Sequence, residues 1–250
     1  MPESLISWLR DACNRFVVEP VAVDRASSLH SWPLVAQNEP DLQTALEVGG
    51  HFLPLPKEPA ALANILEVCL VDTILAELRS MRAVVATRGA ERGYPDIEIG
   101  GDPFGGGHHA VDVKVARRAR GAKKTQSRIT LYTGNTYFRF PQLHWPGTFR
   151  PFRDYRSHVV LIVLYTLDES TLSRVRDVEI IVQESWRVAS RQRSSTTREY
   201  LGAVMALDDL RAGRGEFETD QAFYDFWRRY PFKIGRAVQQ QLDRLLAAQS

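Results

Sequence analysis

Two short runs near the middle of the chain alternate apolar with polar residues: Tyr94-Pro95-Asp96-Ile97-Glu98-Ile99 and Ala110-Val111-Asp112-Val113-Lys114-Val115. A period of two predicts strands, and the glycine-rich stretch 100–107 between them predicts a turn that folds one strand back on the other. Upstream, Leu5, Ile6, Leu9 and Cys13 recur at helical spacing, so Ser4 to Phe16 predicts a short amphipathic helix. Pro59 opens a stronger helix to about Arg82, with Leu62, Ile65, Leu66, Cys69, Ile74, Leu75 and Leu78 as its apolar stripe. Between them, Val17 to Leu55 is broken by Pro20, Pro33, Pro40 and Pro54 and shows no period. Ala83 to Thr87 reads as a strand and Arg88 to Gly93 as a polar loop.

Downstream, Arg117 to Ser127 reads as a basic loop, Arg128 to Phe140 alternates, and Phe140 to Phe152 is a proline- and aromatic-rich loop. Val159 to Tyr165 is continuously apolar and β-branched, which predicts a strand buried on both faces. Val178 to Val182 and Trp186 to Ala189 read as further strands. Ser190 to Glu199 is polar, has no apolar anchor, and reads as a loop free to touch a partner. Thr219 caps a helix whose Phe223, Phe226, Trp227 and Tyr230 form a core stripe, and a last helix runs from about Ile234 to Ala248.

The chain has 250 residues, 44% hydrophobic and 25% charged, which is ordinary for a soluble globular protein and enough for one substantial core. A single domain over residues 1–250 is expected, with 17–55 open as a dimerisation subdomain. Cys13 and Cys69, the only two cysteines, form no metal-ligand or redox spacing and suit a reducing compartment. With no basic leader and no apolar run long enough to span a bilayer, a cytoplasmic protein without membrane contact is expected. Net charge is only +2, but it is segregated. Val113 to Arg153 holds ten Lys and Arg and no acid, and Ser185 to Arg198 is likewise free of acids. Either window alone reads as solvated surface; beside a metal site, such a face would draw a polyphosphate.

On a strand, Asp112 and Lys114 point to one face and Val111, Val113 and Val115 to the other. If the turn closes, Asp96 and Asp112 converge beside Lys114. Two hard carboxylates in a small opening suit Mg²⁺, and an adjacent lysine can orient or help deprotonate a metal-bound water and stabilise charge on the transferring phosphoryl group. A surface hairpin with a salt bridge accounts for the same three residues equally well. Glu67, at the edge of the long helix's stripe, reads from periodicity as an ordinary surface glutamate. His108 and His109, beside the turn, read as a solvated loop pair in preference to metal ligands, and no Lys-Ser/Thr follows the glycines, so the glycines form no phosphate-binding P-loop.

The spacing Pro95-Asp96, fifteen residues, Asp112-Val113-Lys114 resembles the PD-(D/E)xK nuclease motif. Further stretches follow in family order: Leu62 to Glu67, Ile129-Thr130-Leu131, Pro151 to His158 with the long apolar strand, Trp186 to Ala189, Ser195-Thr196-Thr197 and Phe223 to Tyr230. Over roughly Phe52 to Phe232 the chain resembles EcoRV-like type II restriction endonucleases. The resemblance implies an α/β (mixed α+β) fold of the PD-(D/E)xK restriction-endonuclease-like kind, a central mixed sheet flanked by helices. It implies a Mg²⁺-dependent homodimer that cuts double-stranded DNA at a short palindrome and leaves blunt ends. A companion DNA methyltransferase is expected in the cell, not in contact with this chain. Asp96, Asp112 and Glu67 would be the metal-binding acids, with Lys114 beside them as the fourth catalytic residue. Arg92 and Gly93 would touch DNA from the minor-groove side. Lys123, Lys124, Thr130 and Asn135 would line the duplex, and Arg191, Gln192, Arg193, Ser194, Ser195, Thr196 and Thr197 would enter the major groove. Arginine there would read guanine and glutamine adenine. A structure-selective repair nuclease and a non-catalytic DNA-binding relative remain open alternatives.

Overall fold

In the computed structural model, residues 4–18, 37–38, 40–41, 44, 58–90, 93–121, 123–171 and 174–248 are described. The expected subdomain at 17–55 lies almost entirely outside them. Helix α1 (Leu5–Asn14) is capped by Ser4, whose Oγ accepts from the Ser7 amide at 3.1 Å. Helix α2 (Pro59–Arg79) has its proline in the first turn and Glu58 accepting from the Ala61 amide at 2.6 Å. Both pack on one face of a five-stranded sheet.

That sheet contains β1 (Val84–Arg88), β2 (Ile97–Gly101), β3 (His108–Arg117), β5 (Ser157–Leu167) and β6 (Val175–Glu184), in the order β1-β2-β3-β5-β6. All pairings are antiparallel except β3 with β5, which run parallel at the centre. The continuous apolar run becomes β5, buried from His158 to Tyr165 as a central strand requires. A smaller sheet, β4 (Thr130–Thr133), β8 (Tyr200–Ala203) and β7 (Ala189–Arg193), follows the order β4-β8-β7. Helices α3 (Leu207–Ala212), α4 (Asp220–Arg229) and α5 (Arg236–Ala247) complete the chain. As expected, Thr219 caps α4, its Oγ1 accepting from the Ala222 amide.

Two apolar layers enclose the main sheet. Ile97, Ile99, Val111, Val113, Val159, Leu161 and Val163 meet α1 and α2 on one face. Ala110, Ala116, Val160, Ile162 and Leu164 meet the small sheet and α4 on the other, around Tyr132, Phe138, Phe152, Phe223 and Trp227. Four sequence expectations change. His108 and His109 open β3 instead of forming a solvated loop pair, and His109 is buried, its Nδ1 sharing a 2.8 Å hydrogen bond with Ser157 Oγ. Trp186 lies in a 3-10 turn, Ser185–Val188, and the strand begins only at Ala189. Ser190 to Arg193 is strand rather than loop, because β8 supplies a hydrogen-bonding partner. Cys69 is exposed, and Leu70 and Val71 take the core positions of that turn of α2.

Candidate active site

The site is built on the β2–β3 hairpin. Its register pairs Ile97 with Val111 and Glu98 with Ala110, so one step on Asp96 lies opposite Asp112. Side-chain alternation then sends Asp112 and Lys114 to the face shared with Ala110 and Ala116, away from the helices. The reversal is made by Gly105, Gly106 and Gly107, at φ of 86°, 75° and 76°, a left-handed conformation natural to glycine. A pinch holds the entry to β2. The Gly89 amide donates to the Asp96 carbonyl at 2.7 Å and the Tyr94 amide to the Gly147 carbonyl at 2.9 Å. A Cβ on Gly89 would stand 2.1 Å from the Pro95 oxygen, so the crossing needs glycine.

Three expected residues come together. Asp96 Oδ2 accepts from the Val113 amide at 2.6 Å. Lys114 Nζ lies 2.5 Å from Asp112 Oδ2 and donates to the Val113 carbonyl at 3.2 Å. Asp112 is buried, and burial raises its carboxyl well above the ordinary range; Lys114 opposes the rise and neighbouring Asp96 adds to it. Burial opposes the charge on Lys114, but Asp112 and Asp96 outweigh it, so the ammonium holds its proton more tightly than usual. Two carboxyl groups thus share one lysine. Glu67, on α2, is raised by burial and then by the charge of Asp96, which places it within electrostatic range. Among the described residues no three or more His, Cys, Asp or Glu side chains form a metal-holding group; the close set is two acids and a lysine.

An aromatic wall closes one side. Tyr137 stacks on Tyr94 at 5.2 Å, Tyr94 on Phe152 at 5.6 Å, and Phe152 on His158 at 3.9 Å. The Tyr94 hydroxyl and His158 Nδ1 share a 2.6 Å hydrogen bond. Burial pushes His158 down to about 3. Burial, and then the charge of Asp112, pushes the Tyr137 phenol up to about 12. Two strand positions beyond Asp96, Glu98 receives a fork from Arg150, with Nε and Nη2 both at 2.7 Å. Sequence reasoning did not single out Tyr137, Glu98 or Arg150. Glu98 was detectable from its parity with Asp96, and Arg150 only as one of the ten basic residues of the acid-free window; Tyr137 carried no signal of its own.

The expected DNA-side residues are dispersed. Arg92 lies outside the described residues, and Gly93 sits against the Gly147 carbonyl. Lys123 and Lys124 are exposed on a loop bonded to the segment before α3. Thr130 Oγ1 and Ser194 Oγ share a 2.7 Å hydrogen bond, and the Asn135 amide donates to the Lys233 carbonyl at 3.0 Å. Arg191 lies over the rings of Phe217 and Phe226, at 5.4 and 5.6 Å. Arg193 is paired with Glu199 at 2.9 Å. Gln192 accepts from Arg128 at 2.6 Å. Thr196 and Thr197 are exposed and Ser195 partly so, at the tip between β7 and β8.

A mixed sheet flanked by helices, with an antiparallel hairpin leading into a parallel central pair, places this chain in the restriction-endonuclease-like class of folds. The family described as restriction endonuclease EcoRV matches residues 30–247, and the chain belongs to that family. It is similar to the type II restriction enzyme EcoRV of Escherichia coli, 20% identical over 206 residues that span 76% of this chain and 82% of that enzyme. The family makes DNA the substrate and hydrolytic cleavage the activity class. No helix among the described residues is long and apolar enough to cross a membrane.

Proposed function

We propose that this chain is a site-specific type II deoxyribonuclease that acts as a homodimer on a short palindromic duplex. The observation that carries the reading is the meeting of Asp96, Asp112 and Lys114 on one face of one hairpin. The donor set fits a hard divalent cation: two carboxyl groups crowd one ammonium, and Asp112, raised by burial and then by the neighbouring Asp96, is an acid whose charged form a bound cation would favour. Asp96 and Asp112 would hold Mg²⁺, with Glu67 as a supporting acid at longer range. Bound there, the ion supplies Lewis-acid activation of the scissile phosphate.

The chain's own groups do the rest. Lys114, kept cationic by its two acids, is a hydrogen-bond donor rather than a base; it orients the attacking water and meets negative charge growing on the phosphoryl oxygens. The Val113 amide fixes the Asp96 carboxyl. Water oxygen bonds to phosphorus, the bond to the 3′ oxygen breaks, and one proton of that water ends, through solvent, on the 3′ oxygen, leaving a 5′-phosphate and a 3′-hydroxyl. Two-fold symmetry would bring one such site to each strand, with cuts at the centre and blunt ends. The tip at Ser194 to Thr197 would read the major groove, with Arg193 held at its base by Glu199. Lys123, Lys124, Thr130 and Asn135 would line the duplex, and Arg92 and Gly93 would approach from the minor-groove side. A companion methyltransferase would protect host sites.

Plasmid incubated with the protein and Mg²⁺ should give discrete fragments, and sequencing their ends gives both target and cut position. A smear, or intact plasmid, counts against the reading. Asp112→Ala should abolish cutting while duplex binding persists; an active Asp112→Ala protein removes the site assignment.

A further inference from the structure

Arg128 is half-buried at the foot of the β7–β8 hairpin, and its guanidinium makes three bonds, all to neutral oxygens. Nη1 donates to Ser190 Oγ at 3.0 Å and to the Ala203 carbonyl at 2.8 Å, and Nη2 donates to Gln192 Oε1 at 2.6 Å. Ser190 Oγ also accepts from the Gln192 amide at 2.9 Å. The Arg128 stem crosses Gly202, where a Cβ would come within 2.4 Å of Arg128 Cδ and 2.6 Å of the Gln192 carbonyl oxygen. The arginine is therefore seated by backbone and by space, while the Gln192 side chain stands exposed.

A guanidinium has donors only. The end of the Gln192 amide that faces it must be the carbonyl, which turns the NH₂ outward. A glutamine free to rotate grips adenine with both ends, accepting from N6 and donating to N7. Gln192 has its oxygen drawn inward by a charge-assisted bond. Its two arginine neighbours are engaged elsewhere, Arg191 on aromatic rings and Arg193 on Glu199.

We propose that Arg128 and Gln192 form one base-reading unit, in which Arg128 is a positioning residue that holds the Gln192 oxygen inward and turns its N–H donors towards DNA. This rests on the nuclease reading above and specifies its selectivity: the base met by Gln192 offers acceptors, O6 and N7 of guanine or O4 of thymine, and is not adenine held at both ends.

The test is cleavage of a randomised duplex library with Mg²⁺ by the wild type, Gln192→Glu and Arg128→Met, with the ends sequenced. Gln192→Glu keeps the side-chain shape and the bond to Arg128 but offers only acceptors. The wild type should require guanine or thymine at one symmetric pair of positions. Gln192→Glu should lose roughly ten- to hundred-fold on that base and gain on cytosine or adenine, whose exocyclic amines donate. Arg128→Met should relax the same position without exchanging it. Adenine or cytosine at the position that Gln192→Glu alters, or identical sites for wild type and Gln192→Glu, overturns the inference while leaving the nuclease reading intact. A wild type that cuts no discrete site brings down both.

Discussion

Replacing Lys114 by methionine removes the ammonium and keeps most of the stem. Nζ sits 2.5 Å from Asp112 Oδ2, with the two side chains 26% and 7% exposed. Unit charges at that separation attract by roughly 6–7 kcal/mol at an effective dielectric near 20, most of which offsets the water both groups gave up. Without the lysine, Asp112 is a buried carboxylate beside Asp96, and it escapes by taking up a proton. That escape sets the ceiling. Protonating a carboxyl of ordinary pKa costs about 1.4 kcal/mol per pH unit above that pKa, or about 4 kcal/mol at pH 7. Asp112 already lies above its ordinary range, through burial and then Asp96, so the expected loss is about 1–3 kcal/mol at pH 7. At about 2–4 °C per kcal/mol for a chain of this size, Tm should fall by roughly 2–12 °C.

The pH dependence has a definite sign. An acid whose folded pKa is raised penalises the folded state above that pKa and not below its unfolded one. In the variant Asp112 is raised further, so the Tm gap to wild type should close as pH falls from 7 towards 4. Paired thermal melts across that range measure it. A constant gap, or a variant more stable than wild type at pH 7, refutes Lys114 as the counter-charge of a buried acid. The same variant should lose about 10²–10³-fold in DNA cleavage, with duplex affinity unchanged within a few-fold.

Three further outcomes follow from other parts of the fold. His158, held near 3, binds no proton when folded, whereas the unfolded histidine titrates near 6.5; stability should drop by about 1–2 kcal/mol from pH 7 to 5, and His158→Phe should flatten that slope in paired urea titrations. Burial alone would push Glu98 up, but the Arg150 fork holds it below its ordinary range. Its contribution is therefore present above the unfolded pKa and is lost as pH falls through the folded one. Glu98→Gln should cost about 1–2 kcal/mol at neutral pH, discounted for the solvent around Arg150, and should speed proteolysis of the loop at 141–151; an unchanged digestion pattern argues against the fork as its anchor. A Cβ at Gly134 would meet the Phe232 ring at 2.2 Å, so Gly134→Ala should destabilise by about 1–3 kcal/mol in chemical denaturation, and a neutral result would mean that the ring moves aside freely.

Much of this arrangement is legible in the chain. Unbroken, β-branched Val159 to Tyr165 reads as an interior strand and is one, and the alternation around Asp112 and Lys114 assigned their face correctly. The hairpin turn was also readable. Other features depend on partners distant in sequence. Ser190 to Arg193 reads as loop because arginine, glutamine and serine carry little strand preference, yet β8 pairs with it and the rings of Phe217 and Phe226 receive the guanidinium of Arg191. Helix α2 is apolar on so much of its circumference that the phase of its stripe is undetermined by pattern, which is how Cys69 was misplaced and Leu70 and Val71 overlooked. The pairing of Arg193 with Glu199 needed the tip to fold back on itself, and no local rule announces that.

The register that sets Asp96 across from Asp112 also determines where this protein can tolerate a change in length. Extra residues among the glycines at 105–107 would lengthen the bend and leave both strands in phase. One residue inserted between Asp96 and Ile99 would rotate Asp96 by half a pleat and turn its carboxyl towards the helix-side layer of Val111 and Val113. Insertions should therefore accumulate at the bend and be purged from the few positions on either side of it.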